Sequence, residues 1–328
     1  MKEQKRQRVV ALDILKFLAV FLVINSHADC LYPSEYRALA TGGTIGDGLF
    51  LFCSGYALFL GKNRSFPDYF KRRIQRIWPS LFVSVVVLAL LYHFRVHFVD
   101  FIGRSFIRAL FVYYILIYFI NRYFLKQLKP FIIVLALVSV VSYAVVYPQV
   151  VVKHGVHPDV AIYYFKWMPY FCFMLFGLWA SRQKEKEKKN AWLSLLFSLV
   201  GIGLFYAVQY GSKHFADLAP FIFLSIIPLL WSIQCLYDVC SGTWAKRLMQ
   251  NRIGYFVIML IGGLCLEVYL VQYDIIAYES STSWPANLLI IFFKSLVCAY
   301  VVRCFARLFL QTLKTESYDW RRMVDITA

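Results

Sequence analysis

Charge is what this sequence has least of. Only 16% of its 328 residues are Asp, Glu, Lys or Arg, against about 25% in soluble domains, while 60% are hydrophobic and 19% aromatic. That balance excludes an ordinary soluble globule and reads as a polytopic membrane protein. Acidic residues are the scarcer sign, 18 against 35 Lys and Arg, for a net charge of +17. The eight cysteines form no C-x-x-C pair, which argues against structural zinc and a disulfide framework. Cys53, Cys172, Cys235, Cys265, Cys298 and Cys304 lie in or beside apolar runs, where cysteine acts as a small hydrophobe. No glycine-rich phosphate loop and no G-x-S-x-G nucleophile turn is present. There is no internal repeat, and the basic N-terminus is followed by no small-residue cleavage pattern, so a removable signal peptide is not expected.

Long apolar runs are what the chain has instead. Ten stretches near the roughly 17 to 25 residues needed to span a bilayer occur at about 9–28, 44–61, 78–94, 107–121, 131–148, 161–181, 191–209, 217–237, 254–276 and 286–309. The expected fold is an all-α membrane bundle of about ten transmembrane helices. It is read as one integral-membrane domain over residues 1–328, with a basic cytosolic segment at 62–77, an inner loop at 182–190 and no appended soluble domain. Ten spans put both termini on one side, and 26 of the 35 lysines and arginines then fall there too. Positive loops stay in the cytoplasm, so both ends are expected to be cytosolic. The net charge is thus a topology signal plus attraction to anionic membrane lipids, not a nucleic-acid footprint.

Within the first run, LDILKFLAVFLVINSHA, Asp13 and Lys16 open a helix that His27 closes. An ionisable side chain at bilayer depth costs about 2.5 to 3.5 kcal/mol, so its default reading is functional, with a partner. Lys16 and His27 are eleven residues apart, which puts both on one stripe of the helix and roughly 16 Å apart along its axis. Asp13 is the nearest counter-ion for Lys16.

Other stretches carry both a bland and a sharper reading. FPDYFKRRIQRIWPS, Phe66 to Ser80, suits an interfacial helix whose arginines meet lipid headgroups. Alternatively, Arg73 and Arg76, at i, i+3, could grip a phosphate. In GDGLFLFCSGYALFL, the small residues Gly46, Gly48, Ser54 and Gly55 suit close helix packing, and Asp47 and Ser54 fall on nearly one face. In LEVYLVQYD, Glu267 and Asp274 share one face and Tyr269 and Gln272 another, which implies a helix surrounded by protein or lining a cavity. The outer segment HGVHPD offers His154, His157 and Asp159 as metal ligands, although exposed loop histidines are usually only that.

Together these pieces resemble the acyltransferase type 3 family of integral-membrane acyltransferases, which includes O-acetylases of O-antigen, capsule, exopolysaccharide and Nod factors. Its signature of a basic residue, ten intervening residues and a histidine appears as Lys16 and His27. Its F-F-x-x-SGY pattern appears as FLFCSGY, Phe50 to Tyr56, and its RR-x-x-R-x-x-P segment as Arg72, Arg73, Arg76 and Pro79. The family's E-I-Y-L-x-H reads here Glu267, Val268, Tyr269, Leu270, Val271, Gln272, so glutamine replaces histidine. Glutamine can hydrogen-bond a hydroxyl or carbonyl but cannot take its proton.

The resemblance implies transfer of an acyl group, most often acetyl, from cytosolic acyl-coenzyme A to a hydroxyl of an envelope glycan or its lipid-linked precursor, in a bacterial cytoplasmic membrane and without a metal. Arg72, Arg73 and Arg76 would hold the donor's diphosphate. His27 would act as base or acyl carrier, with Lys16 and Asp13 as its companions in the first helix. Asp47, Ser54, Tyr56, Glu267, Tyr269 and Gln272 would meet the substrates. The alternative is a transporter or lipid-sugar flippase, since buried Asp, Glu, Lys and His also line translocation paths.

Overall fold

The computed structural model of the chain describes residues 9–59, 65–183, 190–278, 283–313 and 317–325. Among the described residues all regular structure is helical and there is no strand. That is the open-chain solution in hydrocarbon, where each backbone donor must find its acceptor inside the same segment.

All ten apolar stretches fall on helix where described. In chain order the α-helices are α1 (Val10–His27), α2 (Gly43–Phe59), α3 (Phe66–Tyr92), α4 (Ser105–Tyr123), α5 (Leu128–Tyr147), α6 (Pro158–Phe165), α7 (Trp167–Ala180), α8 (Ala191–His214), α9 (Ile226–Cys240), α10 (Thr243–Gln250), α11 (Arg252–Gly263), α12 (Cys265–Tyr278), α13 (Ala286–Thr312) and α14 (Trp320–Val324). Seven of the helical segments are long and apolar enough to cross a membrane, and an eighth crossing results if α11 and α12, bent by 65° at Leu264, count as one. The 14-residue α7 and the 17-residue α2 are shorter.

Three boundaries differ from the sequence reading. The basic segment before the third stretch is not separate. It forms the first turns of a single 27-residue α3, started by Ser65, whose hydroxyl accepts from the Asp68 amide, and by Pro67 in the first turn. The sixth stretch breaks at Lys166 between α6 and α7. The ninth is broken by the bend after Gly262 and Gly263, so α12 enters the bundle at its own angle. The inner loop at 182–190 and the basic segment at 62–77 lie partly outside the described residues.

Association of helices in lipid rests on close packing and interhelical hydrogen bonds, because lipid tails are as apolar as leucine. The core is the α2–α7 pair, where Leu49, Leu51, Phe52, Phe173, Met174 and Leu175 are fully enclosed. Two glycines permit this approach: a side chain on Gly55 would sit on the Met174 carbonyl, and one on Gly177 on the Phe52 carbonyl. Ser198 of α8 and Ser232 of α9 join their helices with reciprocal hydrogen bonds, hydroxyl to hydroxyl at 3.0 Å. At the periphery, Ile133, Val134, Leu137 and Val141 of α5 and Leu193, Leu196, Leu199 and Val200 of α8 are exposed, the apolar surface that lipid would cover.

Candidate active site

Three helices set the site. α1 packs against α11 and runs alongside α12 in the same direction: a side chain on Gly262, at the end of α11, would lie 2.6 Å from the Asp13 carbonyl, and His27 lies beside Gln272. His27 is the last residue of α1, so about 26 Å of helix separates it from Val10, nearly the thickness of a bilayer core. His27 and Gln272 of α12 therefore meet close to the far end of the first span.

Gln272 is fully enclosed, with its Nε2 3.1 Å from His27 Nδ1. Its Oε1 has no hydrogen-bond partner among the described residues. One turn earlier, the Tyr269 hydroxyl donates to Asp47 Oδ1 at 2.6 Å, tying α12 to α2. Asp47 is itself buried, and a buried carboxylate needs such a donor. The His27 ring meets the rings of Tyr269 and Tyr273 edge-on, at 6.5 and 5.7 Å between centroids. Phe106 stacks on Tyr269 at 4.4 Å and Phe50 lies 6.1 Å away. The i, i+3 spacing of Tyr269 and Gln272 thus puts both against His27, and the same helix turns Asp274 the other way, onto Arg104 at 2.6 Å. Arg104 also covers the Tyr273 ring at 4.3 Å.

Below His27 a small cavity, no larger than about one water molecule, is lined by Ala19, Val20, Val23, Phe50, Cys265 and Val268, with Tyr269 and Gln272 as its polar members. Lower on α1, Lys16 Nζ lies 3.9 Å from Asp13 Oδ1, the counter-ion pairing expected of them. Glu267 accepts from the Ser80 hydroxyl of α3 at 2.9 Å, and both are buried.

The arginines lie towards the other end of the bundle. Ser80 bonds Glu267, and Tyr92 stacks on Tyr278 at 4.5 Å, so α3 and α12 run parallel in near-constant register. Arg73 is seven residues before Ser80, and Gln272 is five after Glu267. The axial distance from Arg73 to the histidine is therefore about 18 Å, and from Arg76 about 14 Å. The Arg73 guanidinium sits over the rings of Tyr69 and Tyr114 at 5.3 and 5.4 Å, while Arg72 and Arg76 are exposed. Aromatic faces orient a guanidinium.

Residues 9–306 match the family model described as an acyltransferase domain. The chain belongs to the acyltransferase type 3 family. No curated protein and no solved structure matches it. Membership together with the apolar helices makes the chain an integral-membrane acyltransferase, and the site residues of this type 3 chain divide by position. His27, Asp47, Tyr269 and Gln272 converge. Lys16, Asp13 and Glu267 lie one level lower. Tyr56 is at the opposite end of α2 from Asp47, its hydroxyl 2.9 Å from that of Tyr237, and Ser54, two residues before it, is about 10 Å along α2 from Asp47. In HGVHPD, His157 serves as the N-cap of α6, its Nδ1 accepting from the Asp159 amide at 3.3 Å. Among the described residues no group of three His, Cys, Asp or Glu could hold a metal ion.

Sequence reasoning missed the Arg104 contact, whose only signal was a cluster of arginines and histidines between two apolar runs. It counted Arg303 and Arg307, at the inner end of the tenth stretch, on the cytosolic side. Both lie within α13, where Arg307 donates to the carbonyls of Arg322, Met323 and Asp325 and so docks α14 on α13.

Proposed function

We propose that this acyltransferase moves a short acyl group, acetyl in the simplest case, from acyl-coenzyme A to a hydroxyl of an envelope or exported polysaccharide or its lipid-linked precursor. The single observation that carries this reading is the axial offset between His27 and the arginines. The donor's phosphates are held at Arg72, Arg73 and Arg76, and its pantetheine arm extends along the bundle for the 14 to 18 Å to His27.

The chemistry follows from the base. A neutral His27 takes the proton of the acceptor hydroxyl as the oxygen attacks the thioester carbonyl. The C–O bond forms, the C–S bond breaks, and the proton passes to the departing thiolate. In the covalent variant the imidazole attacks first and the acyl-histidine is then transferred. Lys16, held by Asp13, meets an anionic part of the donor.

In the topology of this proposal α2, α7 and the bent α11–α12 join the seven longer segments as spans, ten in all, with both termini cytosolic in a bacterial cytoplasmic membrane. The arginines then face the cytosol and His27 the outer side, where the acceptor is met. One observation favours the transport alternative: a broken helix carrying polar residues is also how transporters build sites. The deciding experiment supplies labelled acetyl-coenzyme A to the purified protein in vesicles and compares the O-acyl content of surface polysaccharide in cells with and without the protein. Absence of both acyl-coenzyme A turnover and any change in O-acylation would return the chain to the transport reading.

A further inference from the structure

The amide of Gln272 can occupy one space in two orientations, and they give His27 opposite chemistry. If the NH2 group faces Nδ1, it donates to that nitrogen's lone pair. The neutral imidazole then carries its proton on Nε2, both ring nitrogens are engaged as far as basicity is concerned, and His27 can only donate. If Oε1 faces Nδ1, it accepts from Nδ1–H and the Nε2 lone pair is free. Each orientation leaves one half of a fully buried amide without a protein partner, since Oε1 has none now.

We propose that Gln272 is the positioning residue of His27: its Oε1 accepts from Nδ1–H, fixes the proton on Nδ1 and leaves Nε2 as the base. This rests on the reading of His27 as base and specifies which of its nitrogens works. When Nε2 takes the acceptor proton, the imidazolium keeps its Nδ1–H bond to the same oxygen, so the step needs no rearrangement. With the other orientation, protonation at Nδ1 would set a donor against a donor. The NH2 group then takes the buried position beside the cavity that Gln272 lines, where the carbonyl of a thioester or ester supplies its missing acceptor. The glutamine at this position thus replaces a second titratable group with an orienting one.

Two measurements test the assignment. The first is nitrogen NMR of the purified protein labelled with ¹⁵N-histidine, with His27→Asn identifying the signal. A proton on Nδ1 is expected, and a neutral ring protonated on Nε2 overturns the proposal. The second is kinetic. Gln272→Met fills the space with no acceptor, and kcat should fall about 10- to 100-fold while the donor KM changes less than about threefold. Gln272→Glu supplies only acceptors when ionised and should restore kcat to within about tenfold of wild type. Met at more than half of wild-type kcat, or Glu no better than Met, overturns it. Transfer retained by His27→Asn would instead overturn the base reading, a result separable from the NMR outcome, which does not depend on turnover.

Discussion

Replacing His27 by glutamine separates chemistry from folding, because the contacts around the histidine are few and specific. His27→Ala would leave Gln272 with no partner for its enclosed amide, at a cost of about 1–3 kcal/mol in stability, so a loss of activity there would have two causes. Glutamine at position 27 can still bond the Gln272 amide across the 3.1 Å now spanned by Nδ1, and stability should change by less than about 1 kcal/mol. What it lacks is a base. General-base catalysis is worth about 10²–10⁴-fold, which at about 1.36 kcal/mol per decade is roughly 2.7–5.4 kcal/mol of transition-state stabilisation. The assay is the initial rate of label transfer from acetyl-coenzyme A at saturating donor, with donor affinity and thermal unfolding measured on the same preparation. A drop of at least about a hundredfold with both controls unchanged is expected. If His27→Gln keeps more than about a tenth of wild-type transfer, proton removal by this residue is refuted and His27 becomes a polar contact between α1 and α12.

Arg73→Ala and Arg76→Ala should each raise the donor KM by about tenfold and leave kcat nearly unchanged, with Lys restoring only part of the loss because it lacks the planar fork; an unchanged donor requirement would return the segment to lipid contact. Tyr269→Phe removes the donor to buried Asp47 and should cost about 1–3 kcal/mol in unfolding free energy, measured by thermal or denaturant unfolding in detergent; an unchanged transition would show that Asp47 draws nothing from that bond. Reporter fusions after Lys189 and at Ala328 should both report cytosol; an outer signal from either would reverse the placement of the arginines.

Much of the fold was legible because a spanning helix is written locally. About twenty apolar residues must be helical in hydrocarbon whatever surrounds them, and all ten stretches lie on helix where described. Interruptions were harder. The break within 254–276 was not anticipated; Gly262 lets the Asp13 backbone approach just before it, a contact that periodicity does not encode. In the site, periodicity placed Tyr269 and Gln272 on one face. That this face meets His27, 245 residues away, is a tertiary fact that no spacing encodes. Ser54 and Asp47 share a helical face yet lie about 10 Å apart, because a common face fixes direction and not depth. Arg303 and Arg307 counted towards the inner side by their charge, and what spacing could not show is that Arg307 spends its donors on the carbonyls of α14.

The glycine seam between α2 and α7 has a mechanical consequence. Backbone fills the space on both sides of that contact, so the two helices cannot slide or rock without collision, and they form a fixed frame. α12 meets that frame through side chains instead: the Tyr269–Asp47 bond sets its place relative to α2, as Glu267–Ser80 and Asp274–Arg104 do relative to its other neighbours. Any accommodation beside His27 is therefore expected on the α12 side: with acetyl-coenzyme A added, spin labels on α2 and α7 should keep their separation, and a change between labels on α2 and α12 would report it.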